Sequence, residues 1–299
     1  MIKIFGVIPA VITPFDENSR PDENALRTHV DFLIENGIHG LWVLGSTGEF
    51  PYLSMDEKKK VATWAVDEAN GKVPTIIVTG SYGTDEAIEF AKYIEDIGAD
   101  AIGIVLPTYW PLWEEDAFFY FKEVASSVNI PAIVYNFFLA HLDLTPQFIA
   151  KLSSEIENVV GVKDTVTDVE HTKEILKLVN PEVFSVLTGS ELHFLTTLKE
   201  GGHGGIFPTP NFDPATSVKL YEAFKKGNMQ EVERLNSRLL QLIGVMAYGS
   251  HSPVAVIKES MRLLGRPIKS KVKKPLACFT ADEINDLQNY LREIRLIEK

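Results

Sequence analysis

The feature that most constrains this chain is a rhythm. Eight short apolar runs, at 7–12, 41–44, 76–78, 101–106, 132–135, 159–163, 184–187 and 204–207, recur at fairly even spacing. Stretches of helical periodicity lie between most of them: Ala25, Val30, Phe32, Leu33 and Ile34, then Val61, Trp64, Ala65 and Ala69, then Ala87, Ile88, Phe90, Ala91 and Ile94. An apolar run without polar alternation reads as a strand covered on both faces. Helix starts are marked by the capping-box spacing Ser54-Met55-Asp56-Glu57, by acidic Thr84-Asp85-Glu86 and by Thr145-Pro146, and glycines 37, 71 and 98 sit where helices should close. Eight strands alternating with helices predict an α/β (β/α)8 TIM barrel. The alternative is an open doubly wound sheet, but no glycine-rich dinucleotide fingerprint follows the first strand.

The rhythm stops near Gly227. Three helical stretches follow, near 228–246, 253–264 and 280–299, so we expect a barrel over 1–226 and a C-terminal helical domain over 227–299. A basic loop between Pro267 and Pro275, Lys269-Ser270-Lys271-Val272-Lys273-Lys274, reads as a solvated linker.

Composition removes several classes of partner. A net charge of −12 lacks the basic footprint of a nucleic-acid or anionic-membrane binder. No apolar stretch is long enough to span a bilayer. A single cysteine, Cys278, forbids an intrachain disulfide and suits a reducing compartment. With no signal-peptide layout at Met1-Ile2-Lys3-Ile4-Phe5-Gly6, the expected location is cytoplasmic.

The active site of a barrel of this type lies at the carboxyl ends of its strands. Those ends carry Thr13, Gly45-Ser46-Thr47-Gly48-Glu49, Gly80, Pro107-Thr108-Tyr109, Tyr135-Asn136, Lys163, Gly189-Ser190 and Phe207-Pro208. This is a rim of hydroxyls and glycines with one lysine. It suits a small anionic ketone better than a metal. The seven histidines are scattered, and His193 and His203, assigned to one helix end, lack a third ligand. Buried at a strand end, Lys163 should lose its proton near neutral pH and become an amine able to attack a ketone. Alternatively it snorkels its head into water. The 45–48 loop is either an anion-binding nest or a tight turn with a cap. Tyr135 is either a proton carrier for the amine or a core tyrosine. The cluster Tyr109-Trp110-Pro111-Leu112-Trp113 reads as packing, at an interface or within the fold.

Together, Gly45-Ser46-Thr47-Gly48-Glu49, Tyr135-Asn136 and Gly161-Val162-Lys163-Asp164-Thr165 resemble the pyruvate-dependent Schiff-base aldolases, the dihydrodipicolinate synthase and N-acetylneuraminate lyase superfamily. The likeness runs from Pro9-Ala10-Val11-Ile12-Thr13-Pro14-Phe15 to the tail. It implies that Lys163 forms a Schiff base with pyruvate, without metal or other cofactor, and that Tyr135 transfers protons. It further implies that Ser46 and Thr47 bind the carboxylate, that Gly48, Gly189 and Ile206 line the substrate, and that Tyr109 completes a hydroxyl relay. In this superfamily that tyrosine reaches into a neighbouring subunit, which implies a homotetramer built as a dimer of dimers. Dihydrodipicolinate synthases carry an arginine where this chain has Ala140, and aldolases that also take the phosphorylated sugar acid carry one where it has Leu112. The resemblance is therefore closest to 2-keto-3-deoxygluconate aldolase acting on the unphosphorylated acid. A synthase or another lyase or dehydratase of the superfamily is the alternative, and a non-catalytic keto-acid-binding barrel a third. The family's proline and glycine after Tyr135-Asn136 are missing, so the 137–142 loop should take a different shape.

Overall fold

The computed structural model describes residues 3–137 and 142–298. Ala140 and most of the loop expected to be reshaped therefore lie outside the described residues. The strands are β1 (Gly6–Pro9), β2 (Leu41–Val43), β3 (Thr75–Val78), β4 (Ala101–Val105), β5 (Ala132–Phe137), β6 (Val159–Thr165), β7 (Ser185–Thr188) and β8 (Gly204–Phe207). Alternating with them are α1 (Glu23–Glu35), α2 (Met55–Ala69), α3 (Thr84–Asp96), α4 (Glu114–Ser126), α5 (Pro146–Glu155), α6 (Val169–Leu178), α7 (Glu191–Lys199) and α8 (Pro214–Lys225). All seven strand pairings are parallel, in the order β1-β8-β7-β6-β5-β4-β3-β2. An isolated parallel bridge between Ala10 and Trp42, with the Val11 N–H donating to the Trp42 carbonyl at 2.9 Å, joins the first and last strands of that order. The sheet is a (β/α)8 barrel.

The expected caps form. Ser54 and Glu57 make a reciprocal capping box, and Thr145 caps α5 ahead of Pro146. Glycines 37, 71 and 98 take positive φ after their helices. The first apolar run is shorter as a strand than its sequence suggests. Pro9 has no N–H for the ladder, and the Ile12 N–H turns to the Asn211 side chain at 3.1 Å. His193 and His203 do not share a helix end: one lies near the start of α7, the other beyond its far end.

Each strand separates two cores. Outward residues such as Val43, Ile77, Val134 and Val162 pack beneath the helices, while Ile8, Trp42, Ile76, Ile133, Tyr135, Leu187 and Ile206 fill the interior. In β6 the register against β5 slips by one residue beside Ala132 and Ile133. This bulge resets the alternation, so Gly161 and Lys163 face inward while Val162 and Asp164 face the helices.

The tail helices α9 (Met229–Met246), α10 (Pro253–Leu263) and α11 (Ala281–Glu293) form their own apolar cluster around Leu242, Val256, Ile257, Met261 and Leu287, which also takes in Ile12 and Phe212 of the barrel. The basic loop is more than a solvated linker. Lys269 and Lys271 do lie at the surface beside Glu17, but Lys273 is largely covered and binds Glu57 and the Ser19 carbonyl.

Two glycines allow a direct test of the packing. Gly204 has φ +153°, and a Cβ there would collide with the Gly6 backbone on the neighbouring strand, whereas a Cβ at Gly71, φ +71°, would meet nothing. Gly204→Ala should therefore cost about 3 kcal/mol or more in urea unfolding, while Gly71→Ala costs about 1 kcal/mol of left-handed backbone strain alone.

Candidate active site

The register of β5 on β6 pairs Tyr135 with Lys163 and Asn136 with Asp164. Successive side chains alternate across a strand, so the first pair meets inside the barrel and the second outside it. Both inner side chains are buried, at 2% and 3% exposure. The Lys163 Nζ lies 4.2 Å from the centre of the Tyr135 ring and 4.9 Å from that of Trp42. The two rings stand edge to face, 5.4 Å apart. Trp42 fits because its neighbours lack side chains: a Cβ at Gly45 or Gly103 would press into the indole.

This setting decides the charge of the amine. Ring faces favour an ammonium by about 1–2 kcal/mol, and the Glu191 carboxylate also favours it. Burial outweighs both and pulls Lys163 down to about 7. Snorkelling into solvent is excluded by the 3% exposure. Glu191, the first residue of α7, is buried too, and burial raises its carboxyl although the Thr209 N–H donates to it at 3.0 Å. Burial also raises the Tyr135 phenol to about 12, so it keeps its proton at neutral pH. The Ser46 hydroxyl, 3.2 Å from the phenol oxygen, works against that rise. Thr165 opposes it as well, but lies outside hydrogen-bond geometry.

Ser46 is held by a compact turn. β2 ends at Val43, and Leu44 just after it takes a positive φ of 59°. The chain then folds back so that the Gly48 N–H donates to the Gly45 carbonyl and the Glu49 N–H to the Ser46 carbonyl, both at 3.0 Å. Thr13 donates to the Gly48 carbonyl at 2.8 Å. Among the described residues the N–H groups of Ser46 and Thr47 have no acceptor. The turn thus offers two hydroxyls and two free amides on the rim that holds Lys163. Gly189 follows β7, and its N–H donates to the Asp164 carbonyl at 2.7 Å. A Cβ there would collide with Thr165, so close packing alone requires this glycine. Ile206 is fully buried inside the barrel, opposite Ile8. Tyr109 is not brought to this group within the chain: it is 81% exposed and makes no hydrogen bond among the described residues.

The outer pair anchors the inner one. The Asp164 carboxylate is fully buried and accepts from Asn136 at 2.8 Å and Thr172 at 2.6 Å. His171 Nδ1 lies 3.1 Å from the same carboxylate, and its Nε2 lies 2.8 Å from the Leu144 carbonyl. Both partners are acceptors, so only the doubly protonated ring satisfies both. Burial works against that charge, but the Asp164 carboxylate, the Leu144 carbonyl and nearby Asp143 hold the imidazole above its ordinary value.

A model of the dihydrodipicolinate synthetase family matches residues 3–294. The chain belongs to this family. Among the family's solved structures, that of YagE, a prophage protein from E. coli K12 in complex with pyruvate, superposes with a TM-score of 0.94 at 34% identity, covering 98% of this chain and 99% of that one. Dihydrodipicolinate synthase from Aquifex aeolicus superposes with a TM-score of 0.91 at 30% identity, covering 99% and 100%. In sequence the chain is 37% identical, over 92% of each chain, to YjhH of Escherichia coli, provisionally named a 2-dehydro-3-deoxy-D-pentonate aldolase. It is 36% identical to the 4-hydroxy-tetrahydrodipicolinate synthase of Methanopyrus kandleri, over 99% of this chain and 98% of that one. Several residues around the site escaped the sequence reading. Trp42 and Glu191 look like ordinary strand and helix residues, and nothing local marks them. Asn136 and Asp164 stand beside the inner pair in Tyr135-Asn136 and Lys163-Asp164, but the sequence reading gave them no role, because the partners His171 and Thr172 lie on the next helix.

A raised His171 makes a contribution to stability that is complete below its unfolded value near 6.5 and is lost as pH rises through the higher folded value. His171→Ala should therefore cost about 2 kcal/mol at pH 6 and less than half of that at pH 9, as read from urea midpoints.

Proposed function

We propose that the protein is a Schiff-base lyase that cleaves 2-keto-3-deoxygluconate, in its unphosphorylated form, to pyruvate and glyceraldehyde. The observation that carries this reading is a buried lysine, poised near neutrality, beside a phenol that reaches a serine hydroxyl. Lys163 attacks the C2 ketone, water leaves, and an iminium forms. The substrate carboxylate rests on the Ser46 and Thr47 hydroxyls and amides, with Gly48, Gly189 and Ile206 closing around it. The iminium draws electrons as the C3–C4 bond breaks, releasing the aldehyde and leaving an enamine. The C4 hydroxyl proton passes to the Tyr135 oxygen while that phenol hands its own hydrogen towards Ser46. The reverse transfer protonates the enamine at C3, and water then frees pyruvate from Lys163. The iminium is the electron sink, so the proposed steps draw on no further cofactor.

Ala140 and Leu112, in place of the arginines described above, support a neutral sugar chain over a second carboxylate or a phosphate. The provisional aldolase names of YjhH and of YagE, which is 35% identical over 97% of both chains, agree with it. Condensation of pyruvate with aspartate semialdehyde is the second reading, favoured by the synthase relatives.

The relay would be completed from a second copy. Tyr82, Tyr109, Trp110 and Phe119, between 53% and 81% exposed, share the walls of one surface cavity of about 550 Å³, and Trp113 stands out nearby at 81%. A contiguous aromatic face of this kind marks a contact surface. We assign it to self-association that brings Tyr109 to a neighbour's rim within a homotetramer.

Borohydride with pyruvate should label Lys163 and no other residue, as read by peptide mass mapping. The initial labelling rate should climb about tenfold per pH unit below 7 and level off above it. An unlabelled Lys163 would end the reading. Tyr135→Phe should leave trapping intact while lowering kcat for aldehyde release about 100-fold or more. Trp110→Glu with Trp113→Glu should reduce the assembly mass in light scattering and depress turnover together.

A further inference from the structure

A pair of charges is shut away from water at the back of the Ser46 turn. Glu49 and Lys258 are 1% and 0% exposed, and their charged atoms meet at 2.5 Å. Glu49 ends the 45–49 turn with a left-handed φ of 59°. Lys258 belongs to α10 of the tail, also donates to the Lys271 carbonyl at 2.9 Å, and covers the Phe15 ring at 4.1 Å. The second Glu49 oxygen accepts the Lys273 N–H at 2.7 Å. From its other side the turn meets the Thr13 hydroxyl, on the Gly48 carbonyl, and the Tyr135 phenol, at Ser46.

A buried ion pair is a poor device for stability. Removing two charges from water offsets most of their attraction, and well-packed apolar residues would serve as well. What it supplies is direction: a carboxylate with both oxygens engaged fixes the backbone that carries it. That backbone is three residues from Ser46 and two from Thr47, and its carbonyls and amides close the turn.

We propose that Glu49 and Lys258 are positioning residues, through which the tail sets the placement of the Ser46 and Thr47 groups that receive the substrate carboxylate. This rests on the reading of that turn as the carboxylate cradle. The pair touches no reacting atom, so its loss should weaken anion binding without altering the amine. The barrel alone, lacking α10 and Lys273, would hold Lys163 in place but present a slack cradle.

The test is the double variant Glu49→Gln with Lys258→Met, which keeps the volumes and an acceptor for the Lys273 N–H while removing both charges. Borohydride trapping of the intact protein is titrated with pyruvate, normalised to folded protein by circular dichroism. The expected result is a half-saturating pyruvate concentration raised at least tenfold, with the pH midpoint for labelling Lys163 unchanged. A folded variant whose half-saturation stays within twofold of wild type would overturn the proposal, because a merely structural pair lowers the melting temperature and leaves that value alone. Hydrogen exchange on the wild-type protein gives a measure independent of refolding. The amides of Gly48, Glu49 and α10 should share one protection level, and turn amides exchanging a hundredfold faster than α10 would equally sink it. Wild-type protein that fails to trap pyruvate at all would refute the Schiff-base reading instead, and the exchange measurement would still report whether tail and turn move as one.

Discussion

The whole arrangement depends on keeping one lysine dry. An amine in water at neutral pH is an ammonium and attacks nothing. Here the two ring faces and the acid around Lys163 all favour the proton, and burial defeats them. That burial is a property of the barrel rather than of any one neighbour. It needs Trp42 wedged between two glycines, Tyr135 in register alongside, and a bulge in β6 that turns the lysine inward. Without the slip in register, alternation would send Lys163 into the helix layer and Asp164 into the interior.

Two adjacent residues on each of two strands divide the labour. Tyr135 and Lys163 face the barrel interior, while Asn136 and Asp164 face the helices and hold the backbone with a fully bonded carboxylate. The same carboxylate gathers the start of α6 and, through His171 and Leu144, the end of the β5–α5 connection. An imidazole that favours its proton, in a largely covered site, is thereby coupled to the strand that carries Lys163.

The fold was legible because its periodicities are local. Apolar runs, caps and closing glycines each occupy a few adjacent residues, and the barrel followed from counting them. The candidate site was legible to the extent that single residues announce its place in the fold: a lysine closing a buried strand, a phenol at the end of the strand before, a hydroxyl-rich turn. What stayed hidden is relational. Glu49 resembles a surface acid until Lys258 is seen against it, and Lys273 resembles a solvated linker charge until its N–H is found on Glu49. Glu191 resembles a helix-start acid, and only the packing shows it facing the amine. Tyr109, read from its neighbours as one of an aromatic cluster, stands at the surface, where it makes no hydrogen bond among the described residues.

The span of these contacts bears on how the protein comes into being. Glu49 must wait 209 residues for Lys258 and 224 for the Lys273 amide. During synthesis the eight strands emerge first, and the turn after β2 is among the earliest pieces to leave the ribosome. Its Glu49 finds its buried partners only when almost the last segment arrives. If the proposal holds, a chain without its tail would have Lys163 in place while the turn meant to seat the carboxylate lacks its clasp. On the proposed reading, the tail is the late fastener of that seat, closing a turn laid down some two hundred residues earlier.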